Sequence, residues 1–129
     1  MYIDNFEIIL YVRDQAVSTA FYTAILGCKP ALHVPGMTEF EINSFLKLGL
    51  MPENGIVKIL GNHTPHPALG NGIPRCELYL HVQEPEQAIN IALQAGAVLV
   101  SAISLRDWGD RAGYVADPDG HIIAYAARF

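Results

Sequence analysis

Two glutamates open two closely similar segments of this chain, Glu7 in EIILYVRD (7–14) and Glu77 in ELYLHVQE (77–84). Leu10 matches Leu80 and Val12 matches Val82, so the carboxylates hold equivalent places in a repeated unit. Two carboxylates that converge in a partly apolar cavity can share a proton, bind a cation or supply a general base, because repulsion and desolvation raise the pKa of one of them. Successive side chains of a strand point to opposite faces. Ile8, Leu10 and Val12 therefore share one face and Glu7, Ile9 and Tyr11 the other, while Leu78, Leu80 and Val82 oppose Glu77, Tyr79 and His81. The aliphatic faces should pack under helices, and the mixed faces should line the site. Tyr11, Tyr79 and His81 thereby join the two glutamates as candidate ligand-binding residues, with Trp108 at a rim and Arg106 beside it as an anchor for a charged group. The bland alternatives are sheet packing for the tyrosines, buried packing for the single tryptophan and an exposed ion pair for Arg106 and Asp107. His121 reads as structural, and His63 and His66 as surface-loop residues.

The elements that must position these residues follow from periodicity. Val17, Ala20, Phe21, Ala24 and Ile25 mark one helical face, with Asp14 as N-cap and Gly27 as the stop. Ala88, Ile91, Ala92 and Ala95 mark a second, with Pro85 near its first turn and Gly96 as the stop. Strand-like runs follow each helix: Ala31–Val34, Thr38–Ile42 and Phe45–Met51, then Ala97–Ile103, Arg111–Ala116 and His121–Ala126. Each half reads βαβββ, over residues 1–60 and 75–129. The Gly-, Pro- and Asn-rich stretch 61–74 suits a linker. Phe21, Tyr22 and Phe40 read as core, and the DPDG stretch (117–120) reads as a turn with no catalytic role.

A chain of 129 residues suits one compact domain or two small units, and its 51% hydrophobic content is that of a globular protein. A net charge of −5 with only eight scattered basic residues argues against nucleic acid as a partner. No apolar run approaches membrane-spanning length, so no membrane partner is expected. Cys28 and Cys76 lack metal-ligand spacing, and the N-terminus MYIDNFEI lacks a leader pattern, which makes a reducing cytoplasm with free thiols the expectation.

The tandem βαβββ pattern, the helix end FYTAILG (21–27) and the closing WGDRAGYVADPDGHIIAYA (108–126) resemble the vicinal oxygen chelate superfamily, which includes glyoxalase I, bleomycin-resistance proteins and extradiol dioxygenases. The resemblance implies an α+β fold in which tandem βαβββ modules form a curved mixed-sheet cup with helices on its convex face. It also implies a divalent metal held by His or Glu from the opening and closing strands of each unit. Glu7 and Glu77 stand at the opening positions. The closing pattern DPDGNxxE is here DPDGHIIA, so Ala124 replaces the usual glutamate, and FLKLGLM (45–51) offers no acid or histidine. Two oxygen ligands are too few for a tightly held transition metal, so the expectation is no cofactor, with a weakly bound divalent metal on Glu7 and Glu77 as the exception. Three functions remain: a binding protein for a small, partly apolar molecule in a cup lined by Glu7 and Glu77, a glyoxalase-like lyase or isomerase on a carbonyl substrate, or a non-catalytic interaction module. A homodimer is the expected assembly.

Overall fold

The computed structural model describes residues 1–129, and the chain divides into two compact units, Met1–Asn71 and Gly72–Phe129. The first unit runs β1 (Phe6–Val12), α1 (Gln15–Leu26), β2 (Leu32–Val34), β3 (Met37–Glu41), β4 (Leu46–Pro52) and α2 (Glu53–Leu60), then short 3-10 turns at Gly61–His63 and Pro67–Gly70. The second runs β5 (Glu77–His81), α3 (Pro85–Gln94), β6 (Val98–Leu105), β7 (Asp110–Ala116) and β8 (Ile122–Arg128). Each unit is an open, mixed four-stranded sheet, ordered β1-β4-β3-β2 in one and β5-β8-β7-β6 in the other. The opening strand of each lies parallel to its last strand. The α+β class and the repeated βαβββ order are as the sequence implies.

In the first unit α1 begins where Asp14 accepts the Val17 N–H (3.0 Å) and ends at Gly27, whose left-handed φ of 68° suits a residue without Cβ. Gln15 then ties the helix to the β2–β3 hairpin: its Nε2 donates to the Val34 carbonyl and to Thr38 Oγ1, and its Oε1 accepts the Gly36 N–H. Phe21, Tyr22, Phe40, Leu48 and Leu50 are buried with Leu10 and Val12, which agrees with the core reading. Ile8 is only half-buried. Residues 53–60 form α2, a helix beyond the repeated βαβββ order. Glu53 in its first turn and Lys58 in its last complement the helix dipole, and Ile56 anchors it against β4 and β1.

In the second unit α3 starts at Pro85 and packs across β6, β7 and β8. Gly113 makes that approach close: a Cβ there would stand 2.5 Å from Ile89 Cδ1 of α3 and 2.7 Å from Ile103 Cγ1. An Arg111–Glu86 ion pair ties β7 to the helix at the same layer. Leu78, Leu80 and Val82, whose parity implies burial under a helix, are only half-buried. The principal strand partners of α3 are the other three strands, which leaves β5 at the edge of the sheet it borders.

Candidate functional site

On the first unit's mixed face, Glu7 lies beside Lys47 and Ile9 beside Gly49 in the parallel β1–β4 register, and Glu39 of β3 pairs with Gly49 from the other side. Gly49 is therefore flanked by both carboxyl-bearing strands. A Cβ on Gly49 would fall 2.5 Å from Glu7 Oε2, so the carboxylate uses the space that glycine leaves. That oxygen is buried and without a hydrogen-bond partner, and Lys47 Nζ sits 3.7 Å from Glu39 Oε1. Burial raises the Glu7 pKa above the ordinary glutamate value. The Glu39 carboxyl adds to the rise through hydrogen bonding and charge, and Lys47 opposes it. Two ionised carboxylates cannot hydrogen-bond to each other, so the Glu7–Glu39 hydrogen bond forms only when one of the pair carries a proton. Tyr11 shares this face and is half-buried. Neither Glu39 nor Lys47 was singled out from sequence, where both read as the polar half of an alternating strand.

On the second unit's mixed face three of the sequence candidates come together around one that sequence analysis missed. Asp110, the first residue of β7, is 2% exposed. The Tyr79 hydroxyl donates to Asp110 Oδ2 (2.8 Å) and accepts from Trp108 Nε1 (2.7 Å). His81 Nε2 stands 3.8 Å from the same Asp110 oxygen, and its ring meets Tyr79 edge-to-face at 5.3 Å between centroids. Arg128 Nε lies 3.5 Å from Asp110 Oδ1, which has no hydrogen bond. Loss of solvent raises the Tyr79 pKa, the hydrogen bond and charge of Asp110 add to the rise, and the Trp108 hydrogen bond opposes it. Tyr79 therefore acts as a neutral donor. Trp108 is 54% exposed, so its N–H is fixed while its ring face is open. The neighbouring positions of this face are Ala124 beside Tyr79, with Tyr114 next in register, and Ala126 beside His81, with Ala112 next. Asp110 could have been suspected only from its place one residue beyond the Trp-Gly turn, since its burial depends on strand pairing.

The remaining candidates are placed apart from that cluster. Arg106 turns its guanidinium onto backbone: Nε and Nη2 donate to the Ala112 carbonyl, and Nη2 also reaches the Ala102 carbonyl and Ser101 Oγ. Its plane lies 5.0 Å from the Tyr114 ring centroid. The β6–β7 ladder slips register between Leu99 and Ser101 and again between Ser101 and Ser104, and Arg106 satisfies carbonyls around that irregularity. Glu77 is exposed and pairs in register with Ile122. Asp117, Asp119 and His121 place ligand atoms within 4.8 Å of one another. Asp117 Oδ1 accepts the backbone N–H groups of Asp119 and His121 at 2.8 Å each, which is the bonding of a side chain that shapes a turn. Cys28 and Cys76 are free and exposed.

Residues 3–125 match the Glyoxalase/Bleomycin resistance protein/Dioxygenase superfamily. The chain belongs to this superfamily. Its relatives within and beyond the match include an uncharacterised protein of Mycobacterium bovis, 31% identical over 115 residues that cover 87% of this chain and 75% of that protein. A Mycobacterium tuberculosis protein has the same identity over 67% of its own length. Among solved structures, a glyoxalase-related enzyme from Fulvimarina pelagi is similar with a TM-score of 0.80 and 25% identity, over 95% of this chain and 86% of that one. A glyoxalase/bleomycin resistance protein/dioxygenase family enzyme from Burkholderia phytofirmans shares the fold at a TM-score of 0.78 and 16% identity, over 95% and 97% of the two chains.

At the register positions where the superfamily resemblance implies further metal ligands, the closing strands offer none. Beside Glu7 the closing strand offers Lys47 and Gly49, and beside Glu77 and Tyr79 it offers Ile122 and Ala124. None of these four residues offers a side-chain metal ligand, which leaves Glu7 with Glu39 on one face and His81 with Asp110 on the other as the donors at hand. No helix is long and apolar enough to cross a membrane.

Proposed function

We propose that this superfamily member binds a small, partly apolar, flat molecule against the mixed sheet face of its second unit, with Trp108 as the stacking surface and Tyr79 and His81 beside it. The observation that carries the reading is the chain of bonds from Trp108 through Tyr79 to buried Asp110. An exposed tryptophan that only packed on its neighbours would be free to change rotamer. Here the indole edge is held by the phenol, the phenol is held by a carboxylate, and the ring face stays open to solvent. Such preorganisation lowers the ordering cost of binding, and an amphipathic ring with one end tied suits an apolar ligand. In this reading Glu77, on the same face of β5 as Tyr79 and His81, contributes charge that selects the ligand.

Trp108 is the only tryptophan, so its fluorescence reports on the site directly. Titration with bleomycin and with a panel of flat heteroaromatic compounds should change that emission saturably. Tyr79→Phe and Asp110→Ala should weaken the response about tenfold, the equivalent of ~1.4 kcal/mol, because each removes one link that fixes the indole. If no compound produces a saturable change, or if both variants bind as the parent does, the reading fails.

A second reading has its own support. The buried, pKa-raised Glu7 carboxyl is the state expected of a general base, which favours a glyoxalase-like lyase or isomerase acting on a carbonyl substrate. Its test is turnover of the methylglyoxal–glutathione hemithioacetal by the parent chain and by Glu7→Gln and Glu77→Gln. Turnover lost in Glu7→Gln would favour the enzyme. Undetectable turnover in the parent would remove it.

A further inference from the structure

We propose that the Lys47 ammonium serves the first unit's carboxylates as a tethered counter-ion, filling the electrostatic role that a divalent metal holds elsewhere in the superfamily. The inference concerns Glu7, Glu39, Lys47 and Gly49 and does not depend on the ligand assigned to Trp108.

The sheet register brings these residues together. The parallel pairing sets Glu7 beside Lys47, and the antiparallel pairing sets Glu39 beside Gly49, one pleat further along the same face. Because alternate residues of a strand share a face, all four point to the same side. Gly49 contributes only its Cα, and Glu7 Oε2 occupies the space above it, buried and without a hydrogen-bond partner. An orphaned carboxylate oxygen with a second carboxylate beside it is an arrangement that attracts positive charge. The chain supplies that charge itself, with Lys47 Nζ 3.7 Å from Glu39 Oε1. An ammonium donates hydrogen bonds and accepts none, so it neutralises the pair without offering a ligand to a metal. It also repels any ion that approaches the same oxygens. Lys47 is 43% exposed at its side chain and Glu39 18%, so the ammonium is the more solvent-facing member of this pair.

The test asks whether removing the lysine creates a cation site. Mn²⁺ titrations followed by electron paramagnetic resonance would be run on the parent chain, Lys47→Ala, Lys47→Arg, and Lys47→Ala combined with Glu7→Gln or with Glu39→Gln. The expected result is a saturable Mn²⁺ site in Lys47→Ala at least tenfold tighter than anything in the parent. Lys47→Arg keeps the charge and should behave as the parent, and either added glutamine should abolish the gain. Lys47→Met, which keeps the apolar stem, serves as the second variant if the alanine form does not give a native far-UV circular dichroism spectrum. The proposal is overturned if the parent binds Mn²⁺ as tightly as the lysine variants do, or if neither Lys47→Ala nor Lys47→Met gains affinity. A gain that survives Glu7→Gln and Glu39→Gln also overturns it, since the ion would then sit elsewhere, as on the Asp117–Asp119–His121 turn. Emission from Trp108 plays no part in this readout, so failure here and failure of the ligand reading are distinguishable.

Discussion

The carboxyl of Glu7 has a pKa raised above the ordinary 4.5 of glutamate, chiefly by burial and then by Glu39. A carboxyl whose pKa is higher in the folded than in the unfolded chain favours folding most when it is protonated. That contribution is complete below the unfolded value and is lost as pH rises through the folded one. Glu7→Gln mimics the protonated form at every pH, so it should melt higher than the parent at pH 7, with the difference shrinking toward zero below pH 4.5. Thermal melts at pH 4 and pH 7 check this, and an equal difference at both would show that the charge is not the cause. Tyr125 gives a second prediction at this scale. Its hydroxyl is buried without a partner and burial pushes its pKa up to about 12, so Tyr125→Phe should be neutral or stabilising by about 1 kcal/mol in urea unfolding. A loss of that size instead would mean the hydroxyl is hydrogen-bonded in solution. Strand parity alone made Glu7, Tyr79 and His81 legible in the sequence. Asp110, Glu39 and Lys47 were not, because what makes them part of a site is which residue lies beside them in the neighbouring strand.

Elements with unambiguous ends could be read directly. Asp14 and Gly27 bracket α1, and Pro85 and Gly96 bracket α3, because each end uses a residue type suited to that backbone position. The helix α2 escaped notice because Ile56, Val57, Ile59 and Leu60 in an eight-residue segment fit a short apolar strand as well as a helix. Its placement is settled by packing on β4 and β1. The tight layer between α3 and its sheet was equally invisible, since Gly113 resembles any strand glycine until Ile89 and Ile103 are found against it. Gly113→Ala should destabilise the protein by roughly 1–3 kcal/mol, because the backbone nitrogen of Ile103 at 3.1 Å cannot rotate out of the way as a side chain could. Gly49→Ala meets only flexible side-chain atoms and should cost less, while displacing the Glu7 carboxylate. Chemical denaturation of the two variants side by side checks the order, and equal costs would contradict it.

For the whole molecule, the repeat was the feature most fully written in the sequence, and its symmetry extends to strand order and to the parallel pairing of first and last strands. It does not extend to chemistry. The first unit carries a glutamate pair with a lysine, and the second a phenol, an indole and an imidazole around an aspartate. We propose a homodimer as the working assembly. Support comes from β6, an edge strand that presents Val98, Leu99, Val100 and Leu105 to solvent. Size-exclusion chromatography with light scattering at micromolar concentration should give twice the mass of the 14.1 kDa chain, and Val100→Lys should shift it toward the monomer. A monomeric parent would refute the proposal.

Lysine codons differ from glutamate codons by a single base in the first position. Lys47 lies beside Glu7 in register and against Glu39, so one point mutation would exchange the cation of this face for a third carboxylate on the closing strand. Descent through that position could cross between an internally neutralised surface and an acidic one in a single generation, with no change to the backbone that frames it.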